Sequence, residues 1–226
     1  MRARPNRLRG FTLIELLVAL GIMAMMALLS WRGLDGMSRT QSQMRERNDQ
    51  VLALQAGLSQ WGADLDATMQ MGLLPELDWD GVVLRLVRRN SVNDAAGVLV
   101  VAWTRRDGAG QGQGLWQRWQ SNPVRTRAEL ELAWLQAQNW ARNAAVADRP
   151  QEVTIAPLAQ WQIFYFRNDA WSNSLSGAGV STVDSVLSGN AVPDGVRLVL
   201  TLPPGRALSG TIVRDWVRPT VGGGKS

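Results

Sequence analysis

The feature that most constrains this chain is the run from Phe11 to Trp31, FTLIELLVALGIMAMMALLSW, twenty-one residues with a single charge, Glu15. At ~1.5 Å rise per residue a helix of that length spans about 30 Å, the thickness of a bilayer's hydrocarbon core. Arg2, Arg4, Arg7 and Arg9 precede it in a segment without acids. Basic residues collect on the cytoplasmic side of a membrane helix, so residues 1–10 are expected in the cytoplasm and the bulk of the chain across the membrane. A secretory signal peptide has a shorter apolar core with a small-x-small cleavage site behind it. The end of this run, Leu28, Leu29, Ser30, Trp31 and Arg32, offers no such site, and Trp31 suits the aromatic belt at a membrane edge.

Glu15 stands out within that run. A carboxylate in a bilayer is costly without a partner, which makes it a functional residue by default. If the chain began at Phe11, a free amine would lie one helical turn away, at i and i+4. In an assembly the amine of a neighbouring subunit could serve instead. The segment Arg9-Gly10-Phe11-Thr12-Leu13-Ile14-Glu15-Leu16 resembles the type IV prepilin signature: a short basic leader ending in Gly, then Phe, with Glu at the fifth position. The resemblance implies that prepilin peptidase cuts between Gly10 and Phe11. It also implies that Phe11 becomes the N-methylated residue and that Glu15 guides packing into a filament.

Two further stretches, Trp31-Arg32-Gly33-Leu34-Asp35 and Val196-Arg197-Leu198-Val199-Leu200 followed by Arg214–Val217, are similar to the J-type minor pseudopilin of type II secretion. That likeness implies a structural subunit near the tip of a pseudopilus, neither an enzyme nor a cofactor protein. The implied partners are the I- and K-type minor subunits, the prepilin peptidase, the bacterial inner membrane and exported proteins. The segment Arg127–Asn143 departs from the J-type pattern. Within the family the alternative is a minor pilin of a type IV pilus. Outside it, the alternative is a membrane-anchored periplasmic module that binds a ligand through its tryptophans.

Charge and composition remove other classes. Four of the 24 basic residues lie in the first ten, leaving 20 against 19 acids, so nearly all of the net charge of +5 belongs to the leader and the near-neutral remainder gives no support to a nucleic-acid surface. With no Cys, thiolate chemistry and disulfides are excluded. With no His, the commonest general base and metal ligand are missing.

Beyond the apolar run, no Pro occurs between Pro5 and Pro75. Met44, Val51, Leu54, Leu58, Trp61, Leu65 and Met69 recur at helical spacing, which predicts an amphipathic helix over residues 32–70 that docks on a domain. Gly33, Gly36, Gly57 and Gly62 weaken it locally. From residue 71 to 218 the pattern is that of a β-rich periplasmic domain. Strands are expected at Val82–Arg88, Val98–Arg105, Leu115–Trp119, Val153–Ile155, Trp161–Phe166, Val196–Leu202 and Thr211–Val217. A helix is expected at Arg127–Asn143, with Leu130, Trp134, Leu135 and Ala141 apolar. Loops are expected at Asn90–Gly97, Gly108–Gly114 and Ser172–Asn190, and a flexible tail over 219–226. The expected fold class is α+β, a long N-terminal helix packed on an antiparallel β-rich domain.

Other candidate sites are weak. Most of the eleven Trp sit in strand-like runs and read as core, while Trp171, beside Asn168 and Asp169 in an expected loop, is the candidate for ligand contact. The pairs Asp64/Asp66 and Asp78/Asp80 could offer oxygen to a cation, but two carboxylates each read as solvated surface charge. Gly222-Gly223-Gly224-Lys225-Ser226 looks like the end of a phosphate-binding loop, yet Pro219 stands where that loop needs its first Gly.

Overall fold

A computed structural model describes residues 11–69, 71–72, 74–90, 97–107, 114–143, 146–175, 192–206 and 208–219. The leader with Gly10, the centres of the expected loops at Asn90–Gly97 and Gly108–Gly114, most of Ser172–Asn190, and the Gly222–Ser226 motif lie outside the described residues. The chain divides into two compact units, Met1–Asn48 and Asp49–Ser226. One helix, α1 (Leu13–Asp66, 54 residues), runs through the boundary.

In the first unit, every described residue of α1 is exposed. Leu, Ala and Met are good helix formers, and no Pro interrupts them. The exposed side chains include Leu13, Ile14, Leu16, Leu17, Leu20 and Met23. An apolar surface of that extent needs lipid or other protein around it. The helix is long and apolar enough to cross a membrane.

The second unit holds the end of α1, two antiparallel sheets and a second helix. The first sheet is a meander of β1 (Leu77–Trp79), β2 (Val83–Arg89), β3 (Val98–Asp107), β4 (Gly114–Gln120) and β5 (Glu152–Pro157). Helix α2 (Arg127–Asn143) and a 3-10 turn (Val146–Gln151) are inserted between β4 and β5. The second sheet has β6 (Gln160–Arg167), β7 (Ala170–Asn173), β8 (Gly195–Leu202) and β9 (Gly210–Val217) in the order β7-β6-β8-β9. Asn168 and Asp169 both take positive φ and make the tight β6–β7 turn. The fold is therefore α+β, with a long N-terminal helix and antiparallel sheets.

Two hydrophobic cores form because the first sheet is covered on both faces. Leu84 and Leu86 of β2, Val101 and Trp103 of β3, and Trp116 of β4 point to one core. That core also takes in Leu54, Trp61 and Leu65 of α1 and the inner face of the second sheet, with Ile163, Leu198, Leu200 and Trp216. The alternate residues Val83, Val87, Val100, Ala102 and Trp119 pack against Leu130, Ala133, Trp134, Ala137 and Trp140 of α2. With period-two alternation, β2 has no solvent face, and all of Val83–Arg88 is buried. Gly57 belongs to the packing of α1, not to its weakening: a Cβ there would run into Ile155.

Several expectations need correction. The stripe on α1 does not begin at Met44, which is 63% exposed. Its buried members start at Leu54, because only there does α1 meet the sheets. Leu135 of α2 is also exposed, at 55%; the helix turns Ala133, Ala137 and Trp140 inward instead. Strands β1 and β7 were not expected. Trp171 lies in β7, paired with Phe166, and not in a loop.

Candidate functional site

Thr12 and Glu15 open α1 as a capping box. The Glu15 carboxylate accepts from the Thr12 backbone N–H at 3.0 Å and from its hydroxyl at 2.8 Å. The Thr12 hydroxyl oxygen in turn accepts from the Glu15 N–H at 3.4 Å. This satisfies backbone donors that the first turn of any helix leaves unpaired. Phe11 precedes the helix and is 87% exposed. Of the residues marked by the sequence, Phe11 and Glu15 thus lie within one turn, and Gly10 is outside the described residues. Thr12 is the functional neighbour that the sequence reading missed. Its signal was present, since Thr followed three residues later by Glu ahead of an apolar run is the capping-box pattern.

A second carboxylate on the same helix has a different setting. Asp64, in the last turn of α1, is wholly buried. Its oxygens accept from Arg118 Nε at 2.8 Å and Nη2 at 2.9 Å, a bidentate pair. Trp103 Nε1 donates at 2.9 Å, Gln60 Nε2 at 2.8 Å, and the Arg88 guanidinium also donates. Adjacent strands β2, β3 and β4 each send one side chain to this acid because Arg88, Trp103 and Arg118 share the face of the sheet that meets α1. Five donors on one carboxylate offset the desolvation that burying it costs.

The other acids read as surface charge also have partners. Asp66 accepts from Trp216 Nε1 at 2.7 Å, and Asp78 pairs with Arg85. Asp80 accepts the N–H groups of Val82 and Val83 and pairs with Arg142. Burial pushes the Asp80 carboxyl up, but those two N–H bonds and Arg142 outweigh it and hold it below its ordinary value. The solvated-charge reading is therefore corrected: the four acids are structural. Glu152 repeats the theme on the other face of the sheet, accepting from Trp140 Nε1, Arg106 and Gln117. Among the described residues no group of three acids could hold a metal ion.

Outside the exposed N-terminal half of α1, which carries Trp31, the tryptophans give no open platform. Eight are buried in the two cores, and Trp79 packs edge-on against Trp161 at 4.6 Å. Trp171 is 37% exposed, but the Arg197 guanidinium lies 4.3 Å from its ring centre and Phe166 packs beside it at 5.2 Å. A sugar ring needs a free aromatic face, and this one is occupied.

Comparison with known proteins agrees with the N-terminal geometry. Residues 5–31 match the prokaryotic N-terminal methylation motif, which is of prepilin type. No curated protein matches the chain. The matched segment ends at Trp31, before the β-rich unit begins. The N-terminal region is therefore pilin-like or pseudopilin-like.

Proposed function

We propose that this chain is a minor pseudopilin of a type II secretion system, a structural subunit of J type placed near the filament tip. The observation that carries the reading is the prepilin-type segment 5–31 whose Glu15 sits in the first turn of an uncovered apolar helix. In this reading prepilin peptidase cuts between Gly10 and Phe11 and methylates Phe11. The leader faces the cytoplasm, α1 is held in the inner membrane, and the β-rich unit lies in the periplasm. I- and K-type subunits and exported proteins are its partners.

Assembly then follows from two physical terms. The uncovered apolar side chains of α1 pack against equivalent helices of other subunits. Glu15 exchanges the neutral donors of Thr12 for a charged N-terminal amine, its own or a neighbour's, and hydrogen bonds between charged groups are the stronger kind. Removing one partner of a buried ion pair leaves the other uncompensated, so assembly should weaken by roughly a hundredfold or more.

Mass spectrometry of the mature protein tests the processing step: it should begin at methylated Phe11, and any other N-terminus sinks the assignment. Glu15→Leu tests assembly. The variant should still be cleaved and reside in the membrane, yet fail to copurify with other prepilins or support secretion. Normal copurification and secretion would remove Glu15 from the mechanism.

A further inference from the structure

We propose that β9 is an acceptor edge, at which an extended strand of a partner protein joins the second sheet as its fifth strand. Among the described residues four strands border the two sheets, and three are short, irregular or Pro-ended, features that hinder pairing with another chain. β1 has three residues and β7 four, too short to template much. β5 pairs through an irregular register at Trp116/Gln117 and ends in Pro157. β9 is neither short, irregular nor Pro-ended, and its charges are limited to Arg214 and Asp215. It runs eight residues in unbroken register with β8, from Gly195↔Val217 to Leu202↔Gly210, without Pro, Lys or bulge.

The hydrogen bonds at the sheet's ends fix which backbone groups are open. Arg218 N–H donates to Asp194 C=O, so the even-numbered residues of β9 turn their backbone groups toward β8. The Thr201 carbonyl accepts from Ala159 on the β6 side, which gives β8 the matching parity. Thr211, Val213, Asp215 and Val217 therefore present N–H and C=O to the outside. Among the described residues nothing pairs with this row of alternating donors and acceptors, which fits an extended backbone.

Side chains define the occupant further. Val213 and Val217 are exposed on the outer face, and Asp215 between them is held by a bidentate bond from Arg197, with both contacts at 2.7 Å. On the opposite face Arg214 is exposed and has no ion-pair partner among the described residues. The complementary strand carries apolar residues against Val213 and Val217 and an acid against Arg214. A second copy of β9 does not supply this. In antiparallel self-pairing through the open edge, even residues face even residues, so Arg214 meets Gly210, Ile212, another Arg214 or Trp216 and never an acid.

The test uses the full-length protein in detergent micelles with an end-capped eight-residue peptide of alternating valine and glutamate. Amide hydrogen exchange is read residue by residue. Binding should slow exchange at Thr211, Val213, Asp215 and Val217 at least tenfold, and leave Ile212, Arg214 and Trp216, already bonded to β8, unchanged. Val213→Pro removes an outward N–H without touching the β8 ladder, so it should keep the fold and abolish that protection. Arg214→Glu should lose the glutamate peptide and gain one with lysine in its place. No slowing at millimolar peptide, or equal slowing in both variants, overturns the proposal. So does protection that grows with protein concentration in the absence of peptide, which would make a second copy the occupant.

Discussion

Glu15 and Asp64 sit in the first and last turns of the same helix, and they teach opposite lessons about a carboxylate. Glu15 is exposed, and its donors all come from one neighbouring residue, Thr12. Asp64 has no exposed surface, and its donors come from three strands and its own helix. Local donors leave a charge free to exchange partners. Donors gathered from distant parts of the chain exist only when the fold is complete, so the charge becomes part of the fold. The apolar side chains along this helix follow the same division: those up to Leu34 are uncovered, and Leu54, Trp61 and Leu65 are enclosed.

The strongest way to break this comparison is to cut the helix between its two regimes. A fragment beginning at Ser38 keeps Leu54, Trp61, Asp64 and Leu65 and loses the membrane-length apolar run. It should be soluble and cooperative in unfolding, with circular dichroism of mixed helix and strand. Aggregation, or a mainly helical spectrum, would mean that the uncovered half also holds the β-rich unit together. A smaller effect comes from Asp64→Ala in that fragment. Arg88 and Arg118 would lose the acid they share, a loss of about 3–5 kcal/mol. Urea unfolding should show it. A change below ~1 kcal/mol would place Asp64 with Glu15 as a dispensable charge for the fold.

The smallest expected effect lies at Asp80. Its folded value lies below the ordinary 3.8, so its stabilising contribution is present at neutral pH and is lost as the pH falls through the folded value. Asp80→Asn should therefore lower stability at pH 7 and flatten the stability profile below about pH 4, where the native carboxylate is being protonated. An unchanged acid limb would assign the acid sensitivity to other carboxylates.

The helix, seven of the nine strands among the described residues and α2 were legible in the sequence because periodicity and turn chemistry are local signals. Met44 and Leu135 were misplaced for a matching reason. Helical spacing shows which residues share a face but not where along the helix a partner surface begins. β1 and β7 are short and owe their existence to pairing with β2 and β6, which local sequence does not encode. The prepilin segment was readable because Gly10, Phe11 and Glu15 lie within one short stretch of chain. Asp64 was read as solvent charge because Arg88, Trp103 and Arg118 lie 24 to 54 positions away in the chain. No spacing rule links an acid on a helix to donors on three strands.

The double covering of β2 has a consequence for how this protein can vary over time. On a strand with one wet face, every second position is nearly free to drift, and half the changes pass unnoticed. From Val83 to Arg88 no position is of that kind, because every side chain is buried, the four apolar ones in one core or the other and the two arginines against acids. Drift there has to be paired: a change at Leu84 or Leu86 must be matched around α1 and the second sheet, and a change at Val83 or Val87 around α2. A lineage can therefore remodel the α2 insertion only as fast as the odd-numbered half of β2 allows, while the even-numbered half keeps the docking of α1 unchanged.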